Sequence, residues 1–237
     1  IMELIRVLYD DFLYYDIANP KDPSRDRFIL SKGHGCLAQY VVLAEKGFFD
    51  NKELLKFCHE DSILGGHPEY GKIPGVEAST GALGHGMPIG VGMALAAKLQ
   101  KRKSRVAVIV GDGETNEGSI WEGAMAAPNF KLDNLYVIID KNNFQQTGSN
   151  KEIMSVENLK DKWSSFGWHA VEVDGHNIQE LCDSFNERGK INKPKAIIAN
   201  TIKGKGFSFS ENNNDWHHKI MTKKQYDDAL KELNVPK

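Results

Sequence analysis

Val106-Ala107-Val108-Ile109-Val110-Gly111-Asp112-Gly113 and Leu135-Tyr136-Val137-Ile138-Ile139-Asp140-Lys141-Asn142-Asn143 decide the fold. Both are apolar, β-branched runs without alternation, the pattern of strands buried on two faces in a parallel sheet. Two such strands side by side would deliver Asp112 and Asn142 to one sheet edge. Open α/β sheets bind ligands there, outside the carboxyl ends of their strands. A carboxylate and a carboxamide beside small glycines suit a hard divalent cation bridged to phosphate oxygens. Gly113 leaves room for close backbone approach. The helix expected to start at residues 114–117 would present free N–H groups to the phosphate. The same letters also fit an ordinary Gly-Asp-Gly turn and an Asn-Asn loop; the paired strands favour the ligand site.

Around this nucleus the pattern predicts βα units. Strands are expected at 105–111, 134–140, 168–173 and 195–202, with helices at 117–127, 157–166 and 177–189 between them. Such alternation gives an α/β fold, a parallel sheet with helices on both faces and right-handed crossovers. Upstream, helical spacing of Leu4, Ile5, Leu8, Phe12 and Tyr15 predicts a helix over 2–15. Further helices are expected at 35–46 (stopped by Gly47), 88–100 and 222–233. Phe28-Ile29-Leu30 is a short apolar run. Residues 60–86, rich in Gly, Pro, Ser, Thr and His, form a loop long enough to suggest a functional segment. Residues 204–219 form another.

The chain has 237 residues, enough for one core, and its net charge of -2 gives no electrostatic footprint for nucleic acid or anionic membrane. No apolar window is long enough to span a membrane. Cys36, Cys58 and Cys182 are far apart and form no C-x-x-C pair. That usage points to a reducing, cytoplasmic setting without disulfides or a zinc knuckle. The sequence opens inside an apolar helical pattern, so a start that is missing residues is expected. No linker or repeat divides it, and residues 1–237 are expected to form a single domain.

Three further blocks accompany the Gly-Asp-Gly and Asn-Asn pair. They are Arg27-Phe28-Ile29-Leu30-Ser31-Lys32-Gly33-His34-Gly35, Gly65-Gly66-His67-Pro68-Glu69 and Thr80-Gly81-Ala82-Leu83-Gly84-His85-Gly86. With Asn214-Asp215-Trp216-His217-His218, this set resembles the N-terminal, diphosphate-binding half of the transketolases over nearly the whole chain. The resemblance implies thiamine diphosphate held with Mg2+ (or Ca2+ or Mn2+) by Asp112, Asn142 and the carbonyl of Phe144. It implies that His34 touches the cofactor phosphate, that Gly81, Ala82 and Leu83 contact the cofactor, and that Gly113 lies against the diphosphate. His67 would bind the sugar substrate, and His217 would reach the diphosphate and the reacting carbon. Histidine suits such proton handling because its pKa lies near the working pH. Glu117 matches a position near the subunit interface; compensation of a helix N-terminus is its plainer reading.

Two family features are not found in this sequence. A Gly-His-Pro/Ile-Gly segment, with another active-site histidine, would precede the first helix. The pyrimidine-binding domain, which carries the glutamate that activates the cofactor, is also missing. The expectation is therefore one half of a split transketolase, paired with a pyrimidine-domain subunit in an α₂β₂ assembly acting on sugar phosphates. Gln146 stands where the family often has an apolar residue. Lys203-Gly204-Lys205-Gly206 fits either a phosphate cradle or a solvated loop, and His218 competes with His217 for its role. His59, His169 and His176 receive no assignment. The rival readings are a specialised sugar ketolase, a 2-oxo acid dehydrogenase E1 subunit, 1-deoxyxylulose-5-phosphate synthase and a non-catalytic homologue.

Overall fold

The computed structural model describes residues 1–186 and 193–233. Five strands, β1 (Arg27–Leu30), β2 (Val106–Gly111), β3 (Leu135–Lys141), β6 (His169–Asp174) and β7 (Lys195–Asn200), form one sheet in the order β1-β2-β3-β7-β6. All four pairings are parallel. A two-stranded antiparallel hairpin, β4 (Phe144–Gln145) and β5 (Gly148–Ser149), follows β3. The four expected strands are present, and the Phe28-Ile29-Leu30 run adds the fifth at the edge.

Alternate residues of the central strands bury into two separate cores. On one face Phe28, Leu30, Ala107, Ile109, Tyr136 and Ile138 pack with Leu4, Ile5, Leu8, Phe12, Tyr40, Leu43 and Phe185. These last come from α1 (Met2–Val7) and its continuation, α2 (Cys36–Glu45) and α7 (Ile178–Asn186). On the other face Ile29, Val108, Val110, Val137 and Ile139 pack with Met87, Val91, Ile120, Ala124 and Trp163. Those belong to α3 (Gly86–Leu99), α4 (Gly118–Asn129) and α6 (Leu159–Ser165). The period of two along a strand thus fills both sides, as unbroken apolar runs require. The short helix α5 (Asn150–Ile153) and the terminal α8 (Lys223–Glu232) complete the chain, α8 opened by a Thr222–Gln225 capping box.

Several boundaries differ from expectation. The helix expected over 2–15 changes at Leu8 into a wider π-helical turn and ends at Phe12, where Leu13 N–H reaches back to Leu8 O (2.8 Å). Tyr15 lies beyond it, its hydroxyl donating to Tyr9 O at 3.0 Å. α3 begins at Gly86 rather than 88, since Pro88 fits a first turn whose N–H groups need no partner. The last strand stops at Asn200, short of 202, because the Ile202 N–H is taken by the His176 ring. Of the helix expected over 177–189, residues 187–189 lie outside the described residues.

The close approach of α3 to the sheet has a visible cause. A Cβ built on Gly90 would meet Val108 Cγ2 at 2.5 Å. Gly90→Ala should therefore lower stability by about 1–3 kcal/mol through overpacking, read as an earlier denaturant midpoint. A midpoint equal to the parent would mean that α3 can move off β2 freely.

Candidate active site

The register Gly111↔Asp140 between β2 and β3 brings their two ends side by side. Asp112, buried at 1% exposure, turns its carboxylate into the gap. Its Oδ2 accepts Asn143 N–H at 2.6 Å and Asn150 Nδ2 at 2.9 Å, while Oδ1 accepts Gly113 N–H at 2.8 Å. Among the described residues no cationic side chain pairs with it. Burial pushes its pKa up to about 6, against those hydrogen bonds and the more distant Lys32 ammonium. Beside it, Asn142 Oδ1 accepts Phe144 N–H (3.0 Å) in a local turn that starts the hairpin.

These strand ends and the loops above them surround a cavity of about 640 Å³. His34, His67, Gly81, Leu83, Asp112, Gly113, Glu117, Asn142, Phe144 and His217 all line it; Ala82 does not. Residues from positions 34 to 217 therefore meet in one place, at the carboxyl ends of the strands. Glu117 is exposed at the start of α4, with no side-chain capping bond.

The cavity floor holds a buried pair that the sequence does not announce. Lys32 Nζ lies 2.9 Å from Asp140 Oδ2, and Thr201 Oγ1 donates to Asp140 Oδ1 at 2.5 Å. Burial opposes both charges, but their mutual attraction outweighs it: the Lys32 pKa stands above its ordinary value and that of Asp140 below. Glu114, also buried, joins three segments. It accepts from Ser31 Oγ (2.5 Å), Gly84 N–H (2.9 Å) and Gly111 N–H (3.0 Å).

Lys203 settles part of the loop question, since it lines the cavity rather than facing bulk solvent. Its Nζ lies 2.9 Å from His217 Nδ1. An ammonium only donates, so Nδ1 accepts and the imidazole proton sits on Nε2. The His217 ring lies 5.2 Å from that of His34, whereas His218 is more exposed and meets His217 edge-on at 4.8 Å. Burial, then Lys203, push the His217 pKa down to about 4; burial, then Lys32, do the same to His34. Both imidazoles are neutral at pH 7.

Oxygen donors at two adjacent strand ends, with two ammonium groups and a helix start nearby, fit a diphosphate and its cation. The family described as transketolase, thiamine diphosphate binding domain, matches residues 1–234. The chain belongs to this family. It is 43% identical over 234 residues to a protein of Phocaeicola vulgatus named as an apulose-4-phosphate transketolase subunit, covering 98% of this chain and 83% of that protein. Human transketolase is 38% identical over 232 residues, covering 98% of this chain and 37% of that one. The crystal structure of transketolase from Campylobacter jejuni superimposes with a TM-score of 0.90 at 30% identity, again over 98% of this chain and 37% of that one. The chain thus spans most of the Phocaeicola vulgatus relative but little more than a third of human transketolase.

Two outcomes follow from the site's charges. Between pH 6.5, the ordinary histidine value, and about 4, the unfolded chain takes up protons at positions 34 and 217 that the folded chain refuses. Their share of stability therefore falls as pH falls. An NMR titration should find both rings titrating with midpoints at about pH 4, and Lys203→Met should raise the His217 midpoint. Separately, Lys32→Met strands Asp140 as a buried charge and should cost about 3–5 kcal/mol, while Lys32→Met with Asp140→Leu should cost clearly less. Denaturant melts of the three variants check this.

Proposed function

We propose that this chain is the diphosphate-binding subunit of a split transketolase. It would transfer a two-carbon ketol unit from a ketose phosphate to an aldose phosphate, with thiamine diphosphate and Mg2+ (or Ca2+ or Mn2+). The observation that carries this reading is the pairing of Asp112 and Asn142 at neighbouring strand ends facing the cavity. Asp112 Oδ1 and Asn142 Oδ1 each accept one hydrogen bond, leaving lone pairs for a hard cation, and the Phe144 carbonyl would add a third oxygen. The buried carboxylate, with no cationic side chain paired to it among the described residues, also suits an ion that would compensate it.

Thiamine diphosphate, when bound, supplies the electron sink for cleaving and forming the carbon–carbon bond. The chain's own residues hold the cofactor and the substrate. Gly113 allows close approach of the diphosphate, and Lys203 with His34 offers donors to its oxygens. His217, neutral with its proton on Nε2, can donate a hydrogen bond through that proton to an oxygen developing charge. His67 holds a sugar hydroxyl, and Gly81 and Leu83, which line the cavity, contact the cofactor, whereas Ala82 does not line it. Glu117, exposed at the cavity mouth, faces the side where a second chain would close the site.

In this reading residues 1–237 are one domain. A separate pyrimidine-domain subunit supplies the activating glutamate in an α₂β₂ assembly in the cytoplasm, serving pentose phosphate exchange. Support comes from the Phocaeicola vulgatus relative, itself named as one subunit of a transketolase, which the chain matches over most of its length. The same match favours a second reading, a ketolase for an unusual sugar phosphate. That relative is named for apulose-4-phosphate and is 43% identical, against 38% for human transketolase.

The test mixes this chain with a pyrimidine-domain subunit, thiamine diphosphate and Mg2+, and follows ketol transfer from a panel of ketose phosphates. Activity should require both chains. Asp112→Ala should lower it by at least about a hundredfold while leaving the far-ultraviolet circular dichroism unchanged, an effect on the order of 3 kcal/mol. Activity from this chain alone, or cofactor affinity retained in Asp112→Ala, would defeat the assignment.

A further inference from the structure

His176 carries no motif, yet its ring is wired on both sides. It sits on the turn after β6, with its side chain only 16% exposed. Nδ1 lies 2.7 Å from Glu3 Oε1 on α1, and Nε2 accepts the Ile202 N–H at 2.9 Å. A nitrogen that accepts from a backbone N–H carries no proton, so the ring is the neutral tautomer with its hydrogen on Nδ1, donated to Glu3.

The Ile202 N–H lies where β7 has just ended. The preceding residue, Thr201, still bonds to Lys141 O (2.9 Å) and to Asp140; the following residue, Lys203, reaches His217. The turn is packed tightly from the same side, since a Cβ on Gly175 would meet Thr201 Cγ2 at 2.5 Å. Direction of the chain at Ile202 decides whether the Lys203 side chain enters the cavity or leaves it.

We infer that His176 is a positioning residue: by holding the Ile202 N–H it aims Lys203 at His217 and so fixes which nitrogen of His217 carries the proton. The functional consequence, a correctly placed ammonium for the diphosphate and a proton on Nε2 of His217, rests on the reading proposed above. The geometry itself does not need cofactor or partner. The hydrogen bond to Glu3 orients the acceptor, just as an outer partner sets the tautomer of a working histidine.

The experiment uses the full chain with nitrogen-15-labelled histidine, without cofactor, and reads each ring's tautomer by NMR. The parent should show His176 protonated on Nδ1 and His217 protonated on Nε2. His176→Phe should erase the single-tautomer signature of His217, as Lys203→Met does. His176→Gln should restore it, because the amide oxygen can take the Ile202 N–H. With a pyrimidine-domain subunit present, His176→Phe should also weaken thiamine diphosphate binding by roughly tenfold, and His176→Gln should recover most of it. An unchanged His217 signature in folded His176→Phe, or a His176 protonated on Nε2 in the parent, overturns the inference. If His176→Phe does not fold, the parent tautomers and the Gln variant decide it, a lost His217 signature in the latter counting against. Absence of cofactor binding by the parent pair would instead overturn the proposed function, leaving the His217 readout to judge His176.

Discussion

The carboxylate of Asp112 joins the two strand ends on which the site is built. It lies at the end of β2 and takes its shortest hydrogen bond from the backbone of Asn143, just past β3. A second bond comes from Asn150, beyond the hairpin, so one side chain holds the β2 turn, the β3 exit and the hairpin base together. Such a group is costly to bury when ionised, and its raised pKa records that cost. In the proposed reading a cation completes the arrangement.

Beneath that site, a different device keeps charge where the cavity needs it. Lys32 comes from the end of β1, Asp140 from β3 and Thr201 from the end of β7, so the pair ties together three strands of the sheet. Replacing a buried pair by apolar groups is often neutral for stability, which argues that its use lies elsewhere. The Lys32 ammonium contributes to the positive field that keeps His34 and His217 neutral. With Lys203 it offsets the carboxylates of Asp112, Glu114 and Asp140 that line the same cavity.

Much of this is legible in the letters. The unbroken apolar runs announce buried parallel strands, and the polar residues closing them announce the edge where chemistry gathers. What the letters do not carry is the meeting of residues remote in sequence. Ser31 with Glu114, Lys32 with Asp140, and Glu3 with His176 follow from topology, which local pattern does not encode. Glu114 reads like any acidic residue at a helix start; only its burial and partners show that it ties the end of β2 to the loops at Ser31 and Gly84. The π-helical turn after α1 escapes for another reason, since helical spacing over Leu8 and Phe12 is nearly the same in both kinds of helix. Lys203 is ambiguous in sequence because exposure, not residue type, separates a cavity wall from a solvated loop; His218, more exposed than His217, lines the same cavity.

The most direct measurement of the central claim is anomalous diffraction from Mn2+ in crystals of this chain with thiamine diphosphate and a pyrimidine-domain subunit. One peak should lie between the Asp112 and Asn142 side chains and the Phe144 carbonyl, within about 2.0–2.5 Å of each oxygen. A cofactor bound with its metal held elsewhere, or with Asp112 still turned only toward Gly113, Asn143 and Asn150, would contradict the account.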